Sequence, residues 1–155
     1  MAGITDTGFD GSIPDNTVYM KVDPDGVDDF MTNVATITAG MDVAYEAGSS
    51  VIIVPADDTN SLIIGVALDN TKYNSTTRLA YDYDDAFPAK EMVPVALIGH
   101  GHLVKGISTG TTTAGTQQMR TNTAGKMANG TDAGKVLGTA LSDDDADGYF
   151  ALQMF

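Results

Sequence analysis

Apolar residues along this chain come in short runs, each closed by glycine, proline, asparagine or aspartate. The run Ile63-Ile64-Gly65-Val66-Ala67-Leu68, ending in Asp69-Asn70, reads as a buried strand followed by a turn. A second copy, Val136-Leu137-Gly138-Thr139-Ala140-Leu141, starts 73 residues later (63 to 136). A Thr-Ala-Gly precedes each copy, at Thr38-Ala39-Gly40 and Thr113-Ala114-Gly115, 75 residues apart (38 to 113). Two landmarks at nearly one offset indicate a β unit used twice, the second copy being the more polar.

The other runs fit the same picture. Thr17–Val22 reads as a first strand and Asp23-Pro24-Asp25-Gly26 as its turn. Val34–Ile37, Met41–Glu46, Val51–Val54, Met92–Ile98, Leu103–Lys105, Gln117–Thr121 and Tyr149–Phe155 are further strand candidates. Pro94 argues for an edge or a bulge in its strand. The apolar C-terminal run needs a partner on each side and belongs inside a sheet. Leu79, Tyr81 and Tyr83 would share one strand face. No long segment follows a helical period; the short candidates are Asp28–Asn33 and Asp85–Glu91. The expectation is a mainly β fold, a small β-barrel or sandwich of about ten short strands with an extended N-terminal arm and an internal duplication. Residues 1–22 form the arm and first strand. Residues 23–155 form a single β domain with pseudo-repeats at about 34–105 and 113–155.

Composition narrows the function. The 155 residues carry 21 acids against 8 bases, a net charge of −13, and Glu46 and Glu91 are the only glutamates. A surface of that sign repels phosphate backbones, which argues against direct nucleic-acid binding. Spread acidity with few lysines suits concentrated salt, where repulsion is screened within about 3 Å at 1 M. Turn-rich β proteins also collect aspartate, so chemistry is not required to explain it. The absence of cysteine removes disulfides, thiolate metal sites and cysteine nucleophiles. No apolar run approaches the roughly 20 residues of a membrane span. Met1–Asp6 lacks the basic-then-apolar order of a signal peptide.

Three clusters could carry chemistry. Asp143-Asp144-Asp145-Ala146-Asp147-Gly148 has the first half of a calcium loop, but the twelfth position is Met154, which offers no bidentate carboxylate. An acidic hairpin turn explains it better. His100 and His102 would point to one side of a strand, yet the glycines around His100 favour a tight turn over a metal pair. Thr38-Ala39-Gly40-Met41-Asp42-Val43 resembles the first motif of trimeric deoxyuridine triphosphatases, but no phosphate-binding Gly-Arg-Ser-Ser segment or glycine-rich C-terminal arm accompanies it. No nucleophile elbow or phosphate loop is present. The expectation is a non-enzyme with no catalytic residues, no metal and no cofactor.

The pattern Ala39-Gly40, Val43, Gly48, Val51, Ala56, Ile64-Gly65-Val66-Ala67-Leu68 and Val93-x-Val95-x-Leu97 resembles small β-barrel capsid decoration proteins of tailed double-stranded DNA viruses. These are the auxiliary or cement proteins of phages, archaeal viruses and prophages. The resemblance covers roughly residues 34–105 and, more weakly, 113–155. It implies a structural virion protein, made in the host cytoplasm, that binds the outer surface of an icosahedral capsid and bridges its subunits. The implied partners are the major capsid protein and further copies of the chain in a homotrimer, with no nucleic acid and no membrane. Carried onto this chain, residues 1–22 become a clamp with Ile4, Phe9, Ile13 and Tyr19 as anchors. The acidity points to a halophilic archaeal host. The alternative is a tail, turret or receptor-binding module that recognises carbohydrate, with Tyr73, Tyr81 and Tyr83 available to stack on sugars.

Overall fold

The computed structural model describes residues 24–59, 62–69 and 82–155. Among them are one 3-10 turn, Pro24–Gly26, and ten strands. The first five are β1 (Val27–Thr32), β2 (Asp42–Tyr45), β3 (Ile52–Pro55), β4 (Ile63–Ala67) and β5 (Met92–Leu97). They close into a barrel in the order β1-β3-β2-β4-β5. The remaining five are β6 (Leu103–Ile107), β7 (Gln117–Arg120), β8 (Met127–Asn129), β9 (Val136–Ala140) and β10 (Tyr149–Met154). They form a second sheet in the order β6-β10-β9-β7-β8. The fold is mainly β.

The two sheets repeat one another pair by pair. Asp42↔Val66 and Val43↔Gly65 are matched by Gln117↔Thr139 and Gln118↔Gly138, and the register shifts directly afterwards in both. Tyr45↔Ile53 is matched by Arg120↔Met127, and Val66↔Ala96 by Thr139↔Gln153. In the barrel β1 meets β3 in parallel at Thr32↔Ile53. The corresponding contact in the second sheet is a lone parallel bridge, Ser108↔Met127. The two Thr-Ala-Gly turns make the same bonds as well. The Gly40 N–H donates to the Ala67 carbonyl at 2.8 Å and the Gly115 N–H to the Ala140 carbonyl at 2.7 Å. Both glycines have positive φ, +91° and +84°, a conformation that penalises a Cβ.

Gly65 and Gly138 have a different reason to be glycine. A Cβ on Gly65 would lie well inside van der Waals distance of the Ala96 carbonyl oxygen, and one on Gly138 would collide with the Gln153 carbonyl in the same way. The neighbouring strand passes too close for any side chain.

Several local expectations change. Asp28–Asn33 is not helical; it supplies β1, because Phe30 faces the barrel while its flanks are paired to β3 and β5. Val34–Ile37 is not a strand: it is the bend and coil that carries Ile37 into the core. Asp85–Glu91 has no helix and delivers Phe87 to the same core. Pro94 lies in an interior strand of a closed barrel. The β4 ladder reaches only Val95–Leu97, so its missing N–H falls past the ladder's end, while its carbonyl still accepts from the Leu68 N–H at 2.8 Å. β10 lies between β6 and β9, inside its sheet. Thr17–Val22, Leu79 and Tyr81 lie outside the described residues.

Two apolar clusters fill the structure. Ile37, Val43, Ile53, Ile64, Ala67, Phe87, Val93 and Val95 occupy the barrel. Val104, Met127, Leu137, Ala140, Phe150, Leu152 and Met154 line the second sheet, and Val66 and Ala96 join them from the outer face of β4 and β5. One cluster therefore spans both units. Gly125 N–H donates to the Ala56 carbonyl at 2.8 Å and Lys135 pairs with Asp58 at 3.2 Å across the same junction. Among the described residues no helix is long and apolar enough to cross a membrane.

Candidate functional site

The anchors Ile4, Phe9, Ile13 and Tyr19 lie outside the described residues, so four other places decide what the described surface can do. The first is the turn between the two units. His100 and His102 precede β6 rather than sharing a strand face, and their rings stack with centroids 5.8 Å apart. His102 is buried and its Nε2 lies 2.9 Å from the Gly26 carbonyl oxygen. A Cβ on Gly26 would run into both rings. The pair works as packing that ties the start of β1 to the entry of β6.

The second is the acidic turn before β10. Asp143 Oδ1 accepts the Ala114 N–H and Asp144 Oδ1 the Thr112 N–H, each at 2.9 Å. Asp145 Oδ1 accepts the N–H groups of Asp147 and Tyr149, each at 2.9 Å. Backbone donors take up these carboxylates, as Asx-type turns require. Asp82, Asp84 and Asp85 bring carboxylate oxygens within 4.8 Å of one another, but all three are exposed and Asp85 Oδ2 accepts the Asp82 N–H at 2.7 Å.

The third is a polar recess of about 390 Å³ lined by Tyr83, Asp84, Lys105, Asp147 and Tyr149. Lys105, buried on β6, holds its ammonium 4.3 Å from the Tyr83 ring centre and 5.1 Å from that of Tyr149. The two rings meet edge to face at 5.2 Å. Burial, then the Asp69 carboxylate, holds the Tyr83 hydroxyl above the ordinary phenol range. Burial, then the Asp84, Asp147 and Asp145 carboxylates, raises Tyr149 as well. Both shifts favour the protonated phenol. Tyr73 and Tyr81 lie outside the described residues, and Tyr83, in the turn Asp82–Asp85, has an internal cation against its ring where a sugar would stack.

The fourth is the start of β2. Asp42 is fully buried, and neither carboxylate oxygen has a hydrogen-bond partner on another described residue. Burial pushes its pKa up to about 8, with its own backbone N–H and then the Arg120 guanidinium of the second sheet acting in the opposite direction and Asp57 reinforcing the rise. The aspartate of the triphosphatase-like motif is therefore enclosed at the junction of the two units and faces no open cleft.

Outside these polar places, β1, β5 and the approach to β3 expose an apolar groove of about 510 Å³ lined by Asp28, Asp29, Phe30, Met31, Val51 and Met92. The sequence hid this groove because Asp28–Asn33 reads as helical. Lys105 was legible only as a lone cation in an apolar strand, and the Asp42–Arg120 approach joins residues far apart in the chain.

No family model matches the chain, and no curated protein matches it. Among solved structures the chain is similar to the N base of head fiber gp8.5 of bacteriophage phi29. The two share 14% identity at a TM-score of 0.49, over 88% of this chain and 95% of that one. A score below 0.5 is a likeness of outline, short of a shared fold.

Proposed function

We propose that the chain is a structural protein of a tailed double-stranded DNA virus, bound to the outer surface of an icosahedral capsid and bridging major capsid protein subunits. One observation carries the reading. The residues on which the sequence resembles capsid decoration proteins are the ones that build the barrel: Gly40 at its turn, Gly65 at its closest strand approach, Val93 and Val95 in its core. The use of polar side chains supports it, because the buried His102 and Gln118 and the surface acids Asp143, Asp144 and Asp145 of the turn before β10 are spent on internal contacts. In this reading the copies form a homotrimer. Residues 1–22 clamp the neighbouring capsid subunit through Ile4, Phe9, Ile13 and Tyr19, and the acidic exterior keeps particles dispersed in the brine of a halophilic archaeal host.

Mass spectrometry and imaging of purified particles from the virus or prophage that encodes the chain test the proposal. The expected result is symmetric exterior density and a copy number in fixed ratio to the major capsid protein; absence of the chain from the particles overturns it. Deletion of residues 2–16 should leave a folded protein that no longer binds capsids stripped of it. Light scattering in molar salt should return the mass of three copies, and melting in falling salt should show progressive loss of stability.

A further inference from the structure

We infer that the groove on β1 and β5 is a docking site for a protein segment presenting an apolar side chain flanked by lysine or arginine. The inference stands on the barrel itself and holds whether or not the chain sits on a capsid.

The register places Met31 directly opposite Met92 on β5 and Ile52 on β3. Val51, just before β3, is 62% exposed and Met92 is 43% exposed, so two large apolar side chains stand in solvent beside one concavity. Both edges of β1 are already paired, to β3 and to β5, so a partner cannot add a strand. Recognition has to come from side chains, and the flexible, polarisable methionines suit an adaptable apolar contact.

Charge selects the occupant. Asp28 and Asp29, both exposed, line the groove. Lys90, two residues before Met92, donates to Asn33 Oδ1 at 2.7 Å. A second copy of the chain brings a net charge of −13 to this acidic rim. Residues 1–23 bring Asp6, Asp10, Asp15 and Asp23 against Lys21. At low salt both repel the rim, whereas a basic-flanked apolar segment satisfies floor and rim together.

Display of random dodecapeptides against the immobilised full chain at low salt tests this, followed by titration of the enriched peptides into methionine-methyl-labelled protein. The expected result is enrichment of Leu, Phe or Met next to Lys or Arg, with saturable shifts of the Met31 and Met92 methyl signals. Met92→Ser, a surface change that spares the core, should weaken binding roughly tenfold through lost apolar burial. The double change Asp28→Asn and Asp29→Asn should remove most of the salt dependence. Enrichment of acidic or uncharged peptides, shifts confined to other methionines, or unchanged affinity in Met92→Ser would each overturn the inference. A concentration-dependent dimer abolished by Val51→Asp would overturn it too, by assigning the groove to a second copy.

Discussion

The barrel and the second sheet share a strand order and a register, yet they fill their interiors in opposite ways. In the barrel, Phe30 on β1 stands opposite Val93 on β5. At the matching place in the second sheet Gly106 stands opposite Phe150, whose ring covers the glycine so closely that a Cβ there would strike it. The large residue has changed strands while the pair still fills the space. The turn-side end of the interior differs in polarity. Val43 and Pro55 in the barrel correspond to Gln118 and Asn129, where Gln118 Nε2 donates to Asn129 Oδ1 at 2.7 Å and to Thr116 Oγ1 at 3.0 Å. Backbone geometry is thus the invariant of the duplication, and core composition is free as long as volume and hydrogen bonding are conserved.

The strongest way to break this equivalence is at the close-approach glycines. Gly65→Ala and Gly138→Ala should each cost more than about 4 kcal/mol, because the neighbour is backbone that cannot step aside. Denaturant unfolding should show similar losses in both; a mild effect at only one position would mean that the two sheets do not share their geometry. Next in size is the exchanged pair. Phe150→Val should cost about 2–4 kcal/mol by leaving a void over Gly106, and Gly106→Phe should overpack by about 1–3 kcal/mol or more. The double variant reproduces the barrel's arrangement and should recover part of the loss, with a coupling of about 1–3 kcal/mol in the double-mutant cycle. Simple additivity would show that the pair is not the unit of packing.

Making the second sheet's end apolar should cost less. Gln118→Val removes the donor to Asn129 Oδ1 and Thr116 Oγ1 and leaves the buried Thr112 hydroxyl without its Gln118 Oε1 acceptor, which should lower stability by about 1–3 kcal/mol. The smallest effect near neutrality belongs to Asp42. Its folded pKa of about 8 lies above the ordinary 3.8, so the folded state holds the proton more tightly. The stabilisation is complete below about pH 3.8 and is lost as pH rises through 8. Melting temperature should therefore fall by several degrees between about pH 4 and 8 in wild type and level off above that, and Asp42→Asn should flatten the fall. An unchanged slope in the variant would remove Asp42 as its source.

Much of the architecture was legible in the chain. The paired Gly-containing runs became β4 and β9, and the two Thr-Ala-Gly stretches became the turns that bond back to them. Period-two patterns and glycine punctuation are local properties, set by neighbours in sequence. The errors came where local and long-range demands conflict. Asp28-Asp29-Phe30-Met31 has a weak strand signal, and only pairing to β3 and β5 extends it. Val34–Ile37 has a strong one, yet it is bend and coil that pairs with no strand and buries Ile37 in the barrel core. The groove was illegible for the same reason, since its lining joins residues brought together by barrel closure.

What the sequence determined by itself is a mainly β chain built from a repeated unit, with a strongly acidic charge balance. These follow from patterns a few residues long and from charge, which needs no coordinates. Only the tertiary structure decided that the units share one apolar cluster through Val66 and Ala96, and that Asp42 is enclosed where they meet. It also decided that Met31, Val51 and Met92 gather beside two exposed aspartates. Those are consequences of which strand lies next to which. Strand order depends on closing a barrel around a finite core volume, and no short stretch of sequence carries that information.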